Sequence, residues 1–503
     1  MRILIAAAEV APFARVGGLS DVAGALAKEI ARAGHDVSVF LPRYASIDGT
    51  AFGLQPVAGL GPVGVPMGDR EERASLFRAP MPGEPRVSVF FVGHEGYFGR
   101  PGIYTDPATG HGYPDEVERY AFFCRALLVF AEAMGLAPDV VHLNDHHTAL
   151  AAAYLRGPNP HAGALSRAGV VFSIHNLGYQ GWFDRDLLPR LGFSSELCSP
   201  GSPFEFSGRV NALKLGIEFA DFVNTVSERY AIEISTTAEF GLGLEGVLAD
   251  KASRGRLIGI LNGVDTAVWD PATDPLIPAH YSVSDMRGKT ACREALTKRC
   301  GLSVSSRAPV VGIVSRLADQ KGLDLIREIA DEMIGLDLAL AVLGTGDRAY
   351  HEFLTGLAAK YRGRVSVDLR FDDELAHWIE AGSDMFLMPS RYEPCGLNQM
   401  YSLRYGTVPV VRETGGLADT VTDYDASKNT GTGFSFREYR ADALLSALRR
   451  AVGTFREPDR WAGIVRRGMQ LDLSWAASAL RYARLYEDAA AARRKAEAGE
   501  LRA

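Results

Sequence analysis

Arg316 and Lys321 lie five positions apart in Ser315-Arg-Leu-Ala-Asp-Gln-Lys-Gly322, just beyond an apolar run. Two cations at the carboxyl end of a parallel strand, where ligands bind in such sheets, suit a departing diphosphate. A bare pair of this spacing is more often an ordinary basic loop, so it needs company. Ser390-Arg-Tyr-Glu-Pro-Cys-Gly-Leu397 supplies some, with Glu393 held at a proline-stiffened turn after another apolar run. Gly17-Gly-Leu-Ser-Asp-Val22 and Gly415-Gly-Leu-Ala-Asp-Thr420 echo each other, each following an apolar run and preceding a helical pattern. Short echoes arise by chance in long chains. The alternative is that exposed N–H groups at two helix starts face one anionic ligand, with glycine admitting close backbone approach.

Gly344-Thr-Gly-Asp-Arg-Ala349 loosely matches G-x-G-x-x-[GA], with Asp368 further on as a ribose-binding acid. The match falls on the second strand–helix turn of its half, so a dinucleotide is not expected, whereas Gly344 and Gly346 beside a nucleotide ribose are. Val140-Val-His-Leu-Asn-Asp-His-His-Thr148 places His142 and His146 four apart beside Asp145. A strand running into a loop does not present such a pair on one face, so no metal is expected. Ser173-Ile-His-Asn-Leu-Gly-Tyr-Gln-Gly181 ends another strand with His175 and Asn176, polar groups able to hold sugar hydroxyls, although a strand-end histidine is commonly structural. No G-x-S-x-G elbow, H-E-x-x-H or kinase motif set is present.

Short apolar, β-branched runs alternating with longer amphipathic segments must position these residues, a pattern that predicts parallel sheets covered by helices. The strand runs are Ile3–Ala8, Val37–Leu41, Val87–Val92, Val140–Leu143, Val170–Ile174 and Phe222–Val226, then Val310–Val314, Leu338–Leu343, Val365–Leu369, Met385–Met388 and Val408–Val411. Burial on both faces explains why they are continuously apolar. Val22, Leu26 and Ile30 predict a helix over Ser20–Ala33, closed by Gly34, and Leu323–Ile326 opens its counterpart. Residues 44–86, dense in Gly and Pro, are expected to be long loops, and Trp269–Arg307 a helical connector. The strands fall into two sets joined near Gly259–Asp265. The expected domains are therefore 1–260 and 261–472, both doubly wound, followed by a terminal helix over 473–503.

The 503 residues exceed one core and are 47% hydrophobic and 23% charged, as in ordinary globular proteins. Lys and Arg number 54 against 61 Asp and Glu, a net charge of −7, which argues against nucleic acid as a partner. Five scattered cysteines without a C-x-x-C pair argue against a disulfide framework and for a reducing, cytoplasmic compartment. No apolar run reaches the roughly 18 residues that a membrane span needs.

Taken in order, these motifs resemble those of bacterial glycogen synthases (starch synthases), retaining GT-B glycosyltransferases that extend α-1,4-glucan from ADP-glucose. The resemblance runs from the first strand to about Tyr482. It is carried by Gly-Gly-Leu, His-Asn-Leu-Gly-Tyr-Gln-Gly, Glu-Phe-Gly-Leu-Gly-Leu-Glu-Gly-Val-Leu, Ile-Leu-Asn-Gly-Val-Asp, Ser-Arg-Leu-x3-Lys-Gly-Leu-Asp, Glu-Pro-Cys-Gly-Leu, Tyr-Gly-Thr-Val-Pro-Val-Val and Thr-Gly-Gly-Leu-Ala-Asp-Thr-Val. It implies an α/β fold of GT-B type, two doubly wound Rossmann-like domains facing a deep cleft. By the same resemblance, Arg316 and Lys321 neutralise the diphosphate with help from Arg15 and the backbone N–H groups of Gly17, Gly18, Gly415 and Gly416. Glu393 binds the donor glucose and steadies positive charge at its anomeric carbon. Asp145, His175, Asn176 and Asn262 line the sugar and acceptor pocket, Phe371 lies against adenine, and Tyr97 lies near the phosphates. Cys395, Gly396 and Leu397 complete the donor turn. ADP-glucose is the implied donor and glycogen or another α-1,4-glucan the acceptor, with no cofactor, metal, nucleic acid or membrane.

The sequence departs from the family pattern in three places. Arg15 stands for the family's lysine before Gly-Gly-Leu, a planar fork in place of a point donor. In the family's His-x-His-Asp-Trp-His-Thr-Gly, Asn144 replaces a histidine and His146 the tryptophan. A UDP-glucose-dependent GT-B transferase, or one with another acceptor, is the nearest alternative. A non-catalytic glucan-binding homologue is another, which the retention of Arg316, Lys321 and Glu393 opposes.

Overall fold

The computed structural model of the chain describes residues 1–158, 160–161 and 163–499. Every apolar run named above forms a strand. The chain divides into two compact units, one made of Met1–Val226, Ala231–Leu261 and the segment from Trp475 onward, the other of Ser227–Tyr230 and Asn262–Ser474.

The first unit carries β1 (Arg2–Ala6), β2 (Asp36–Pro42), β3 (Gln55–Pro56), β4 (Val63–Met67), β5 (Arg70–Met81), β6 (Glu84–Gly93), β7 (Val140–Asn144), β8 (Gly169–Ile174), β9 (Trp182–Phe183), β10 (Val210–Asn211), β11 (Phe222–Thr225) and β12 (Leu257–Gly259). Its main sheet runs β12-β11-β8-β7-β1-β2-β6-β5-β3, with β4 added to β5, while β9 and β10 form a separate antiparallel ribbon. From β12 to β6 all neighbours are parallel. β7 and β8 are buried along their whole length, as two-sided coverage requires. The helix Gly18–Arg32 ends as its sequence indicates. Gly34, at φ +91°, and His35 donate their N–H groups to the carbonyls of Ala31 and Ile30, a Schellman closure that a left-handed glycine permits.

The expectation of long loops over residues 44–86 is wrong. β5 pairs antiparallel with β3, β4 and β6, and both of its hairpins turn on two residues, Gly68-Asp69 and Pro82-Gly83. Gly-Asp is itself a tight-hairpin signal, and Gly68 at φ +67° and Gly83 at +80° take the conformation such turns need. The many Gly and Pro residues are turn chemistry between strands and not loop filler.

The second unit contains β13 (Val310–Val314), β14 (Ala339–Leu343), β15 (Val365–Asp368), β16 (Met385–Met388), β17 (Val408–Arg412) and β18 (Phe434–Phe436), all parallel in the order β15-β14-β13-β16-β17-β18. The expected connector over Trp269–Arg307 is helical only at Arg287–Arg299. Upstream, it is pinned by aromatic stacking. Trp269 lies between the rings of His377 and Tyr401, at 3.8 and 4.0 Å, and Asp274 accepts from Tyr405 Oη at 2.6 Å and sits 2.7 Å from His377 Nδ1.

The helix Trp475–Glu497 returns to the first unit; positions 500–503 of the expected terminal helix lie outside the described residues. Gly169 admits it, since a Cβ there would meet the Ala489 carbonyl carbon at 2.6 Å. A buried polar chain fastens it to three strands. His142 Nδ1 is 2.8 Å from Tyr486 Oη and His142 Nε2 2.5 Å from Ser173 Oγ, Ser173 Oγ bonds Asn224, and Asn224 Nδ2 donates to Tyr482 Oη at 3.1 Å. Burial pushes the His142 imidazole down to about 3. The unfolded chain therefore takes up this proton near pH 6.5 while the folded chain refuses it until about 3. The stability is complete above pH 6.5 and declines as pH falls, by at most about 1.4 kcal/mol per pH unit. Urea unfolding of the wild type at pH 5 and pH 7 should differ by about 2 kcal/mol more than the same pair of measurements on His142→Gln. Equal differences would contradict this origin.

Candidate active site

In the second unit, the carboxyl ends of β13 and β16 bring two of the expected residues into contact. Lys321 Nζ lies 2.7 Å from Glu393 Oε2, and Ser390 Oγ donates to the same oxygen at 2.9 Å. Glu393 is 6% exposed, and Lys321 closes the short 3-10 turn Asp319–Lys321. Gly322 makes this approach possible: its φ is +73° and a Cβ would sit 2.0 Å from the Pro389 carbonyl oxygen. Arg316 stays exposed at the end of β13. Gly344 and Gly346 hold the residues on either side of it, because Cβ atoms there would strike the carbonyl oxygens of Ser315 at 2.0 Å and Leu317 at 2.3 Å. Gly346 also donates its N–H to His351 Nε2 at 3.0 Å, so both glycines shape the Arg316 loop.

The second Gly-Gly turn acts differently from the expectation of free N–H groups. Gly416 N–H donates to the carbonyls of Glu393 at 3.2 Å and Pro394 at 3.1 Å. A Cβ on Gly415 would lie 1.9 Å from the Glu393 oxygen, and one on Gly416 2.0 Å from the Cys395 oxygen. These glycines let the Glu393 turn pack against the helix Gly415–Thr420. Gln399 completes the clamp, its Nε2 donating to the Cys395 and Gly396 carbonyls, both at 3.0 Å. Gly396 takes φ +69°, and Leu397 caps the helix Asn398–Arg404. Cys395 is buried against Asn262, and burial pushes its thiol up to about 12, which leaves no thiolate for chemistry. Asn262 belongs to the second unit. Phe371 is 85% exposed. Asp368 pairs with Arg370 at 3.1 Å.

In the first unit, the turn around Gly17 is braced by a residue the motifs did not single out. Glu9, buried past the end of β1, accepts the N–H groups of Val16 at 2.6 Å and Gly17 at 2.8 Å, and the Tyr104 hydroxyl at 2.8 Å. Burial raises its carboxyl above the usual range against these hydrogen bonds, and the nearby Asp145 charge adds to the rise. The Gly17 N–H is therefore committed to Glu9, and Gly18 opens the helix, where first-turn N–H groups lack intrahelical partners. Arg15 is 3.2 Å from Asp21, both well exposed, a pair that exchanges partners at little cost.

Asp145 is not in a loop: β7 runs straight into the helix Asp145–Arg156, and Asp145 takes φ +56° at the junction. Its Oδ1 accepts the His175 N–H at 2.8 Å. Asn144 orients the same histidine. Its Nδ2 donates to the Ala6 carbonyl at 3.0 Å, which turns its oxygen toward His175 Nε2, 2.8 Å away. His175 Nε2 is then the donor, and burial lowers the imidazole's pKa, favouring the neutral ring. Asn176 uses its Oδ1 to accept the Gly178 N–H at 2.9 Å, shaping the loop that follows.

Tyr97 does not fit a place beside phosphates. It is 7% exposed, and its hydroxyl donates to Glu118 at 2.7 Å and accepts from Arg70 at 3.2 Å. Tyr97→Phe should leave the donor KM unchanged and lower stability by about 1–2 kcal/mol, the size of a buried hydrogen bond to a charged group. A tenfold rise in KM with unchanged stability would restore it to the phosphates.

The chain matches the family model described as starch synthase catalytic domain over residues 2–250, and that of glycosyl transferases group 1 over 299–462. It is 47% identical over 489 residues to the glycogen synthase of Anaeromyxobacter dehalogenans (strain 2CP-C), covering 97% of this chain and 99% of the relative. It is 42% identical over 494 residues to glycogen synthase 2 of Geobacter sulfurreducens, covering 98% and 100%. Among solved structures it is similar to the catalytic domain of starch synthase IV from Arabidopsis thaliana bound to ADP and acarbose, with a TM-score of 0.86 and 33% identity over 97% of this chain and 99% of that one.

Proposed function

From the premise that the chain belongs to the starch and glycogen synthase family, we propose that it transfers glucose from ADP-glucose to the non-reducing 4-hydroxyl of an α-1,4-glucan, with retention of configuration. The observation that carries this reading is the Lys321–Glu393 pair at the carboxyl edge of the second unit's sheet. An ammonium beside a buried carboxylate gives a group for the departing diphosphate and one for the anomeric carbon, where positive charge develops. Arg316 adds a second cation on the same loop. Glu393 faces charge that exists only as the glycosidic bond breaks, so its contribution belongs to kcat. Asp145 and the neutral His175 are assigned to sugar hydroxyls, and Phe371 to the adenine. With cationic side chains on the diphosphate, the reaction needs no metal, and none is assigned to it. The cytoplasm, where sugar nucleotides are made, is the assigned compartment; among the described residues, no helix is long and apolar enough to cross a membrane.

Purified protein, a glucan primer and either ADP- or UDP-glucose test the reading by nucleotide release and glucan growth, with the anomeric configuration of the product read by proton NMR. Faster release from ADP-glucose with new α-1,4 linkages is expected. Faster release from UDP-glucose would move the donor assignment, and release from neither would favour a glucan-binding role.

A further inference from the structure

The histidine run holds a second feature that the reaction does not use. His146 and His147 occupy the first turn of the helix Asp145–Arg156 with their rings 3.7 Å apart, and Glu116 opens the helix Glu116–Ala133 opposite them. Glu116 Oε1 lies 3.9 Å from His146 Nε2 and 4.0 Å from His147 Nε2. One ligand atom from each residue falls within 4.8 Å of the other two. Three ligands at about 2.1 Å from one zinc-type ion lie about 3.4–3.6 Å apart, so side-chain adjustments of about 1 Å close the set.

Two further observations favour an occupant. The Glu116 carboxylate lies beyond hydrogen-bond distance of either Nε2, so the three ligand atoms face one another across an unbridged gap. A cavity of about 270 Å³, lined by Glu116, His146, Tyr179, Gln180 and Trp182 among others, gives an ion access and leaves room for water as a further ligand.

We propose that Glu116, His146 and His147 form a binding site for a borderline transition-metal dication of the zinc and cobalt class, distinct from the sugar-transfer residues. Two nitrogens and one oxygen select these ions over magnesium or calcium. The site is of modest strength for two reasons: the Nδ1 atoms of both rings have no carboxylate or carbonyl behind them, and the helix start and Arg119 both disfavour a cation. Micromolar, exchangeable binding follows. His146, where the family pattern has tryptophan, makes the site a feature of this chain.

Cobalt(II) reports on the site directly, because nitrogen ligation in a four- or five-coordinate site intensifies its visible absorption. Titrating metal-stripped protein should give a saturable band that zinc displaces and excess magnesium does not. Glu116→Gln, at a partly exposed helix start, should weaken binding at least tenfold, and His146→Trp should abolish the band. His161→Gln removes a different histidine–carboxylate pair, with Glu132 at 2.9 Å, and should leave the titration unchanged. The proposal is overturned by the absence of a band up to about 1 mM cobalt, by a titration that both site variants leave unaltered, or by loss of the band in His161→Gln. Thermal unfolding of each variant identifies a loss of binding that is only a loss of fold.

Discussion

Glu393→Ala should fold and lose three to four orders of magnitude in kcat, with a far smaller change in donor KM. About 4 to 5 kcal/mol of transition-state stabilisation is at stake, the upper range for one preorganised electrostatic group. The geometry allows so large an effect because the carboxylate is 6% exposed and already fixed by Ser390 and Lys321, so it has nothing to reorganise as charge develops. Removing it also leaves Lys321 without its partner, and breaking a buried pair from one side is itself costly. Lys321→Ala and the double variant separate these effects. If Glu393 acts on the anomeric carbon, the double variant is no better than Glu393→Ala in kcat. If the loss reflects only the stranded ammonium, removing Lys321 as well restores activity. A single variant with near-normal kcat would end the assignment.

The strands were legible in the sequence because their burial is two-sided, and continuous apolar runs such as Val140–Leu143 and Val310–Val314 leave little ambiguity. β4 and β5 were not, since Pro66, Pro80 and the charged Arg70-Glu-Glu-Arg73 break the apolar alternation, and only the two-residue turns betray the pairing. In the site, the charged residues Lys321 and Glu393 lie in contact, whereas the N–H groups of Gly17 and Gly416, named as free, are engaged within the protein. The Gly-Gly echo suggested free N–H groups at both turns. The glycines are instead places where another segment approaches within 2 Å of a missing Cβ, at Gly415 and Gly416, or where a carboxylate, Glu9, takes the N–H. Composition cannot distinguish a glycine that admits a ligand from one that admits a neighbouring loop. Glu9 left one faint signal: a lone carboxylate at the end of an apolar first strand. Tyr97 was placed near the phosphates by resemblance alone, and its own sequence neighbourhood says nothing of its hydroxyl's partners, Arg70 and Glu118.

Asp145 is the residue where charge and backbone can be separated by substitution. It adopts φ +56°, a conformation that aspartate and asparagine both tolerate and alanine does not, and its carboxylate accepts the His175 N–H at 2.8 Å. Asp145→Asn keeps the side-chain shape, the backbone tolerance and an oxygen for His175, and removes only the negative charge. Its kcat should fall by about two orders of magnitude, near 3 kcal/mol, while unfolding stays within about 0.5 kcal/mol of wild type. Asp145→Ala should lose similar activity and a further 1–2 kcal/mol of stability, because alanine in the left-handed region is strained. Chemical denaturation and steady-state kinetics on the two variants decide the matter. Wild-type activity in Asp145→Asn would mean that the oxygen positioning His175 is all the site uses. A parallel loss of stability in both variants would make Asp145 a structural residue at a strand–helix junction. Activity lost in both, with stability lost only in the alanine variant, would place the carboxylate charge in the transfer itself.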